Sequence, residues 1–397
     1  MSQAILKQKL DSYYLKVKND WKNKHPQQGR PFPKGGIDLR SNDYLSLAGN
    51  QNIVASKKTA LEKYTHGNAQ SRIWTYHQDD IYQRFEHSIA SHCGYKDAII
   101  TPSGYSANTG LICTFCDKSS IVYIDEFAHA SLWEGLKLTK SNVIRFQHNN
   151  MTDLRAKIQQ YGAGFIIVDS LYSTFGSLCP LEKLVEIAKS HDCVTIVDET
   201  HSMGTHGIYG EGLTKSKNLH NEIDFITFGL SKAFAVRGGI ISGKAEALDV
   251  IRYSSIPVIF TNGVLAYEVA GYLKTLEIIR SSHDRRKNLH NNYTYLKEAI
   301  RSLGIQIPFS ESQIISLEIG SDIETMKVRD ILESYNVFSS YFFYPAVKKE
   351  RSLLRFTVNC SLTSDELNTI VLAIKEVTKI MNVKKWVSST SPILEAA

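Results

Sequence analysis

Phe165-Ile-Ile-Val-Asp169, Leu181-Glu-Lys-Leu-Val-Glu-Ile-Ala-Lys-Ser190 and Val194-Thr-Ile-Val-Asp198 follow one another in close succession. The two outer pieces are short, unbroken apolar runs that each end on a carboxylate. Such runs suit strands covered on both faces. The middle piece puts Leu184, Ile187 and Ala188 on one side of a helix, which makes it a crossover between them. The same alternation extends in both directions. Candidate strands Ala98–Thr101, Ile121–Asp125 and Val143–Phe146 precede this unit, and Phe225–Phe228 and Gly239–Ser242 follow it. The reading is an α/β fold, doubly wound, with a mostly parallel seven-stranded sheet between helices. In such sheets sites form beyond the carboxyl ends of the strands. Asp169, Asp198 and the turn that carries Lys232 fall there.

The flanks divide the rest of the chain. Residues 1–45 read as an N-terminal helix and arm, with an amphipathic start (Ile5, Leu6, Leu10, Tyr13, Tyr14, Val17) broken by Pro26, Pro31 and Pro33. Residues 46–262 form the large α/β domain. Residues 263–383 begin with a long helical stretch over 263–300 and continue as a smaller α+β domain, with strand-like runs Ile314–Ile319 and Leu353–Val358 and helices near 325–334 and 364–381. Residues 384–397 are a polar tail, expected to be loosely ordered.

At 397 residues the chain can bury two or three cores. Its 43% hydrophobic and 22% charged composition is that of an ordinary globular protein, and the net charge of +6 is spread without a basic stripe, so a nucleic-acid partner is not expected. No apolar leader follows Met1 and no run nears the roughly 18 residues of a membrane span. The six cysteines are scattered; Cys113-x-x-Cys116 lacks a second pair or His cluster, so no metal site is expected. A cytoplasmic protein with reduced thiols is the expectation.

Five segments carry chemistry. Lys232 follows the apolar run Phe225-Ile-Thr-Phe-Gly-Leu-Ser231 and can form a Schiff base if its amine is partly desolvated; alone it also reads as a surface lysine. Asp198 can hold a ring nitrogen protonated, or cap the next segment. His201, three residues on, can reach a phenolic oxygen or be a structural histidine. Ser103-Gly104-Tyr105 precedes an apolar helix read as Thr109–Phe115, a setting that can cradle a phosphate. His129 suits a ring stacked on a cofactor face, or a core histidine. Arg355, in a strand-like run, suits capture of a carboxylate, or a surface charge. The glycine-rich Gly207–Gly212 run reads as a loop. Together an amine, a strand-end carboxylate, two histidines and a Gly turn before a helix are what holding pyridoxal 5'-phosphate requires.

The order Gly104-Tyr-Ser-Ala-Asn108, Ala-His129-Ala-Ser131-Leu, Asp169-Ser-Leu-Tyr-Ser173-Thr, Val-Asp198-Glu-Thr-His201, Ser231-Lys232-Ala-Phe and Leu-Arg355-Phe resembles the α-oxoamine synthases over roughly residues 40–380. These are fold-type-I pyridoxal phosphate enzymes that condense an amino acid with an acyl-CoA. The phrases Ser41-Asn-Asp-Tyr44-Leu, Tyr123-Ile-Asp-Glu-Phe-Ala-His129, His148-Asn-Asn150, His201-Ser-Met-Gly-Thr-His206-Gly and Ser310-Glu-Ser-Gln-Ile-Ile315 resemble the branch that makes α-hydroxyketone quorum-sensing autoinducers. The resemblance implies catalytic Lys232, His129 and Asp198. It implies cofactor contacts from Ser103, Gly104, Tyr105, Ser173, His201, Thr227, Ser231 and, across a homodimer interface, Thr261. It places substrate on Arg355, Asn42 and Tyr44. The implied reaction joins a medium- or long-chain acyl-CoA to 2-aminobutyrate or S-adenosylmethionine and releases an α-aminoketone. A housekeeping relative, 8-amino-7-oxononanoate synthase or a glycine C-acetyltransferase, is the alternative; a non-catalytic subunit of the same fold is a third.

Three departures bear on substrate and cofactor. Gly229 stands three residues before Lys232, where the family carries a Thr or Ser on the phosphate; Ser231 and Thr227 are the hydroxyls expected to take its place. The family's Gly-Ser-Arg-rich loop becomes Gly67-Asn-Ala-Gln-Ser71-Arg72-Ile-Trp74-Thr-Tyr76, whose bulk at Trp74 and Tyr76 is expected to shape an acyl pocket. Ala346 replaces a substrate-contacting Thr of the biotin-pathway members.

Overall fold

The computed structural model describes residues 2–12, 29–64, 66–74, 76, 80–344 and 346–380. The expected tail at 384–397 and the helix positions Tyr13, Tyr14, Val17 and Pro26 lie outside the described residues. Among the described residues there are eleven strands: β1 (Ile37–Leu39), β2 (Asp97–Thr101), β3 (Ile121–Asp125), β4 (Asn142–Phe146), β5 (Phe165–Asp169), β6 (Val194–Asp198), β7 (Phe225–Gly229), β8 (Gly239–Gly243), β9 (Ile314–Gly320), β10 (Val337–Phe342) and β11 (Ser352–Thr357).

Seven of them form one sheet in the order β2-β8-β7-β6-β5-β3-β4. Strands β4, β3, β5, β6 and β7 run parallel, and β8 is antiparallel to both of its neighbours. The expected seven-stranded, mostly parallel sheet is therefore present. Its unbroken apolar runs have a simple cause. Ile166, Ile167 and Val168 are all fully buried because successive side chains point to opposite faces and both faces are covered. Ile166, Val168 and Val197 pack with Leu184 and Ile187 of the crossover helix Leu181–Ser190. Ile167 and Ile196 pack on the other side with Leu111, Leu132 and Leu136. The register Asp169↔Asp198↔Thr227 aligns the ends of β5, β6 and β7 at one edge, so the strand-end groups converge.

The second sheet has the order β1-β10-β11-β9. Strands β9 and β11 match the expected runs, whereas β10 and β1 were not expected. Strand β1 comes from the N-terminal arm and pairs in parallel with β10 (Asp38 opposite Phe338). This carries Asn42 and Tyr44 to the large sheet's edge, where the Tyr44 carbonyl accepts from the Cys360 amide at 2.9 Å. The long helical stretch divides at Ser282 into helices Ala266–Ser281 and His283–Ser302. Among the described residues no helix is long and apolar enough to cross a membrane.

Candidate active site

A cavity of about 220 Å³ opens at the carboxyl edge of the large sheet, walled by Ser103 and Gly104 at one end and by His129, Asp198, His201 and Lys232 around it. Helix Gly104–Phe115 begins five residues before the expected start at Thr109, because Ser103 caps it: the Ser103 hydroxyl accepts from the Ser106 amide at 3.1 Å. Gly104 is obligatory for the close approach of this helix to β7. A Cβ built on Gly104 would lie 2.8 Å from the Gly229 Cα. The first turn, with its unpaired amides and positive end of the helix dipole, thus meets the cavity at Ser103, Gly104 and Tyr105.

Asp198 is held on both oxygens. Its Oδ1 accepts from the Thr200 amide at 2.8 Å and its Oδ2 from Asn108 Nδ2 at 2.7 Å. Asp198 thus organises the following turn and at the same time lines the cavity. Asn108 also donates to the Ser131 hydroxyl at 2.9 Å and accepts from the Thr227 hydroxyl at 2.5 Å. The expectation for Thr227 is corrected here. Its side chain is fully buried and its hydroxyl is given to Asn108, so it braces the network beneath the cavity and does not replace the hydroxyl missing at Gly229.

His129 precedes helix Ala130–Thr139, and its Nδ1 is 2.7 Å from the Ser131 hydroxyl. Its ring is open to the cavity, which argues against the core-histidine reading. Desolvation by the protein packed around the ring lowers its pKa, with Asp198 opposing and Lys232 adding to the shift. His201 is buried, its Nδ1 is 2.6 Å from Tyr44 Oη, and its carbonyl accepts from Gln313 Nε2 at 2.8 Å. Burial holds its pKa well below the ordinary value, and the nearby Lys232 and Arg355 charges reinforce this.

Lys232 lies in the turn between β7 and β8. That turn is closed by Leu230 N to Gly238 O at 2.9 Å and Ala235 N to Lys232 O at 2.9 Å, with Ala235 at φ +52° and Gly238 at φ +139°. A left-handed Ala is uncommon, so packing pins this loop. Lys232 is half-buried. Burial lowers its pKa, the Arg355 charge lowers it further and Asp198 opposes. The surface-lysine reading does not survive this. Arg355 is 8% exposed, so it is no surface charge either. Its Nη1 donates to the Ser173 carbonyl at 2.8 Å, and its buried Nε has no partner. Asp169, also on the cavity wall, accepts only a long 3.4 Å bond from the His129 amide among its described contacts. Burial and then the neighbouring Asp198 raise its pKa well above the ordinary carboxyl value.

The remaining expected residues are distributed as follows. Ser231 lines the cavity and is exposed. Ser173 contributes its carbonyl to Arg355. Asn42 Oδ1 is 3.3 Å from Tyr44 Oη, and Tyr44 is fully buried, so this pair reaches the cavity through His201 and not directly. Thr261 donates to the Pro257 carbonyl at 2.6 Å and is not part of the cavity wall within one chain. Asn108, Ser131 and Thr200 line the wall without having been singled out as site residues, and Asp169 lies at the sheet edge where it was expected. Asn108 had a readable signal, a polar residue amid an apolar helix; Thr200 had none.

A second cavity of about 210 Å³ lies away from these residues, between Tyr76, Glu86, Asp97 and Arg252. Tyr76 belongs to its wall and is 6% exposed, while Trp74 is 76% exposed, so the pair does not form one pocket with Lys232 in a single chain. All six cysteines are free thiols, and the described residues contain no cluster suited to a metal ion.

The donor set fits pyridoxal phosphate: an amine with a lowered pKa, a fixed carboxylate, an imidazole face, helix amides and a guanidinium with an unused buried donor. Comparison with known proteins agrees. Residues 34–374 match the family described as aminotransferase class I and II. The chain is 38% identical over 374 residues to the CAI-1 autoinducer synthase of Vibrio campbellii, covering 94% of this chain and 95% of that one. It is 32% identical over 334 residues to the serine palmitoyltransferase of Sphingobacterium spiritivorum, covering 83% and 84%. Its fold matches a high-resolution structure of SPT with PLP at a TM-score of 0.86, with 24% identity and coverage of 95% and 99%. The chain belongs to the aminotransferase class I and II family and, within it, to the α-oxoamine synthases.

Proposed function

We propose that this enzyme condenses a medium- or long-chain acyl-CoA with 2-aminobutyrate or S-adenosylmethionine to give the α-aminoketone precursor of an α-hydroxyketone autoinducer. It is a pyridoxal phosphate-dependent acyltransferase. The observation that carries the substrate reading is the near full-length similarity to CAI-1 autoinducer synthase. The one that carries the reaction type is the gathering of Lys232, Asp198, His129 and His201 on one cavity with Arg355 beside it.

The chemistry brought by bound pyridoxal phosphate is covalent capture of an amine and withdrawal of electrons from the substrate Cα. The protein's residues divide the remaining work. Ser103, Gly104 and Tyr105 present the helix start to the phosphate. Asp198, fixed by Asn108 and Thr200, would hold the ring nitrogen, where a charged acceptor favours the protonated ring. His129 would cover the ring, and His201 would meet its phenolic oxygen. Arg355 binds the donor carboxylate through the guanidinium edge left free by Ser173. Lys232, whose lowered pKa favours the free amine, anchors the cofactor and then takes the proton from the substrate Cα. A carbon–carbon bond forms between that Cα and the acyl carbon, the thioester C–S bond breaks and coenzyme A leaves as its thiol, and the donor carboxylate departs as CO2 while Cα takes up a proton in its place.

Two copies sharing their sites, with Thr261 of the second copy approaching the phosphate, and a cytoplasmic location complete the reading. The exposed Trp74 and Phe260, 76% and 80% accessible in one chain, are suited to such an interface. The test pairs purified enzyme with 2-aminobutyrate, S-adenosylmethionine, glycine, alanine and serine against acyl-CoAs of graded length, with products read by mass spectrometry. Preference for glycine and a short acyl-CoA would overturn the substrate assignment in favour of a housekeeping member.

A further inference from the structure

The turn that follows β6 brings another hydroxyl against Gly229. We propose that Thr200 is the side-chain donor to the cofactor phosphate, which rests on the cradle at Ser103–Tyr105 proposed above. Gly229 ends β7 against the helix start, with a Cβ on Gly104 falling 2.8 Å from the Gly229 Cα. Thr200 follows β6 and meets the same point. Its Oγ1 accepts from the Gly229 amide at 2.9 Å, and its Cγ2 lies 3.6 Å from where a Gly229 Cβ would be. It therefore occupies the flank of Gly229 on which a side chain there would stand. Thr200 is half-buried and, with Ser103, Gly104, Tyr105 and Gly229, lines one cavity.

The bond from Gly229 fixes the direction of the remaining proton. A hydroxyl that accepts from an amide keeps its own O–H for another acceptor. The Thr200 amide is committed to Asp198 Oδ1 at 2.8 Å, so the threonine is held at both ends and its rotamer is set before any ligand arrives. Thr227 is excluded from this part because its hydroxyl is given to Asn108. Ser231 also lines the cavity but is exposed, so ordering it would cost more side-chain freedom than the pre-set Thr200.

The geometry also makes the arrangement reversible. At Gly229 a Cβ would meet only ordinary contacts, 3.6 Å to the Gly104 Cα and 3.6 Å to Thr200 Cγ2, so serine has room there.

The experiment uses the full chain stripped of cofactor and measures dissociation constants for pyridoxal phosphate and for pyridoxal, which lacks the phosphate, by absorbance titration. Thr200→Val should weaken pyridoxal phosphate roughly tenfold or more, the worth of a hydrogen bond to a charged group, and leave pyridoxal unchanged. Thr200→Ser should behave as the parent, and Gly229→Ser placed on Thr200→Val should recover most of the loss. Equal loss for both ligands in Thr200→Val would mean that Thr200 acts through Asp198 or the fold, and would overturn the proposal. So would an unchanged Thr200→Val, or a loss found in Ser231→Ala instead. If the parent protein binds both ligands equally, the phosphate cradle itself is wrong and the proposal falls with it.

Discussion

Tyr44 Oη lies 2.6 Å from His201 Nδ1, which ties the N-terminal arm to the floor of the cavity. The contact from the same oxygen to Asn42 Oδ1 is longer, 3.3 Å, so the bond to the ring is the tighter of the two. Burial and the nearby Lys232 and Arg355 charges push the His201 pKa well down, which favours the neutral ring. Tyr44→Phe frees Nδ1 and leaves it buried without a partner. The expected outcome is a fall of roughly tenfold in kcat with a smaller change in KM, and a stability loss of about 1–3 kcal/mol, read from steady-state kinetics and denaturant unfolding.

Lys232 and Arg355 repel each other, and that repulsion lowers the lysine pKa after burial does, which favours the free amine. Removing the cation raises the Lys232 pKa, so a higher pH is needed for the free amine. Arg355→Gln should therefore shift the acid limb of the rate at which the stripped protein takes up pyridoxal phosphate toward higher pH. Asp198→Asn should shift it toward lower pH, because Asp198 opposes the depression. Stopped-flow absorbance across pH checks both directions; an unmoved limb in Arg355→Gln would count against the coupling.

His148 joins two buried groups, with Nδ1 2.9 Å from Asp125 Oδ1 and Nε2 2.8 Å from the Ser177 hydroxyl. The row looks like a hydrolytic triad, but Ser177 is 1% exposed and no substrate can reach it. Its effect is to fix the segment that presents the Ser173 carbonyl to Arg355. His148→Ala should cost about 2 kcal/mol or more in stability, since it leaves the buried Ser177 hydroxyl without its partner and takes one bond from Asp125, which keeps the Phe127 and Asn149 amides. It should also raise KM for the amino donor more than it lowers kcat.

Glu86, 2% exposed on the wall of the second cavity, has a pKa raised to about 7, chiefly by burial and against the pull of Arg72. Between the ordinary 4.5 and about 7 the folded protein holds a proton that the unfolded chain has lost, so stability falls as pH rises through this window. Glu86→Gln removes that dependence. The expected result is a smaller difference in Tm between pH 5 and pH 8 in the variant than in the parent.

The large sheet was legible because a strand buried on both faces must be apolar throughout, and Phe165–Asp169 and Val194–Asp198 are. Asp198 and Lys232 were legible as cavity residues for a related reason: each follows such a run at the carboxyl edge of the sheet, where the cavity lies. Strand β1 was not, since three residues between a Pro-Gly segment and Arg40 carry no period, and their partner β10 lies at the far end of the chain. The start of helix Gly104–Phe115 was misplaced because its cap is a serine whose amide partner is visible only once the turn is built. Thr227 was read as a cofactor ligand because sequence shows a hydroxyl near Lys232 but not that Asn108 claims it. Thr200 was missed for the opposite reason, its position depending on two strands meeting side by side.

The pairing of β1 with β10 also has a meaning for biosynthesis. A ribosome releases the Ile37–Leu39 segment early, yet the strand it must join, Val337–Phe342, is among the last parts to emerge. Until then Tyr44 has no shelf, and Arg355 does not exist. The large sheet can form on the nascent chain, but its cofactor site stays half-built until translation is nearly finished. Fragments truncated before β10 are thus expected to emerge without a working centre, which makes the closing of this small sheet the step that commissions the enzyme.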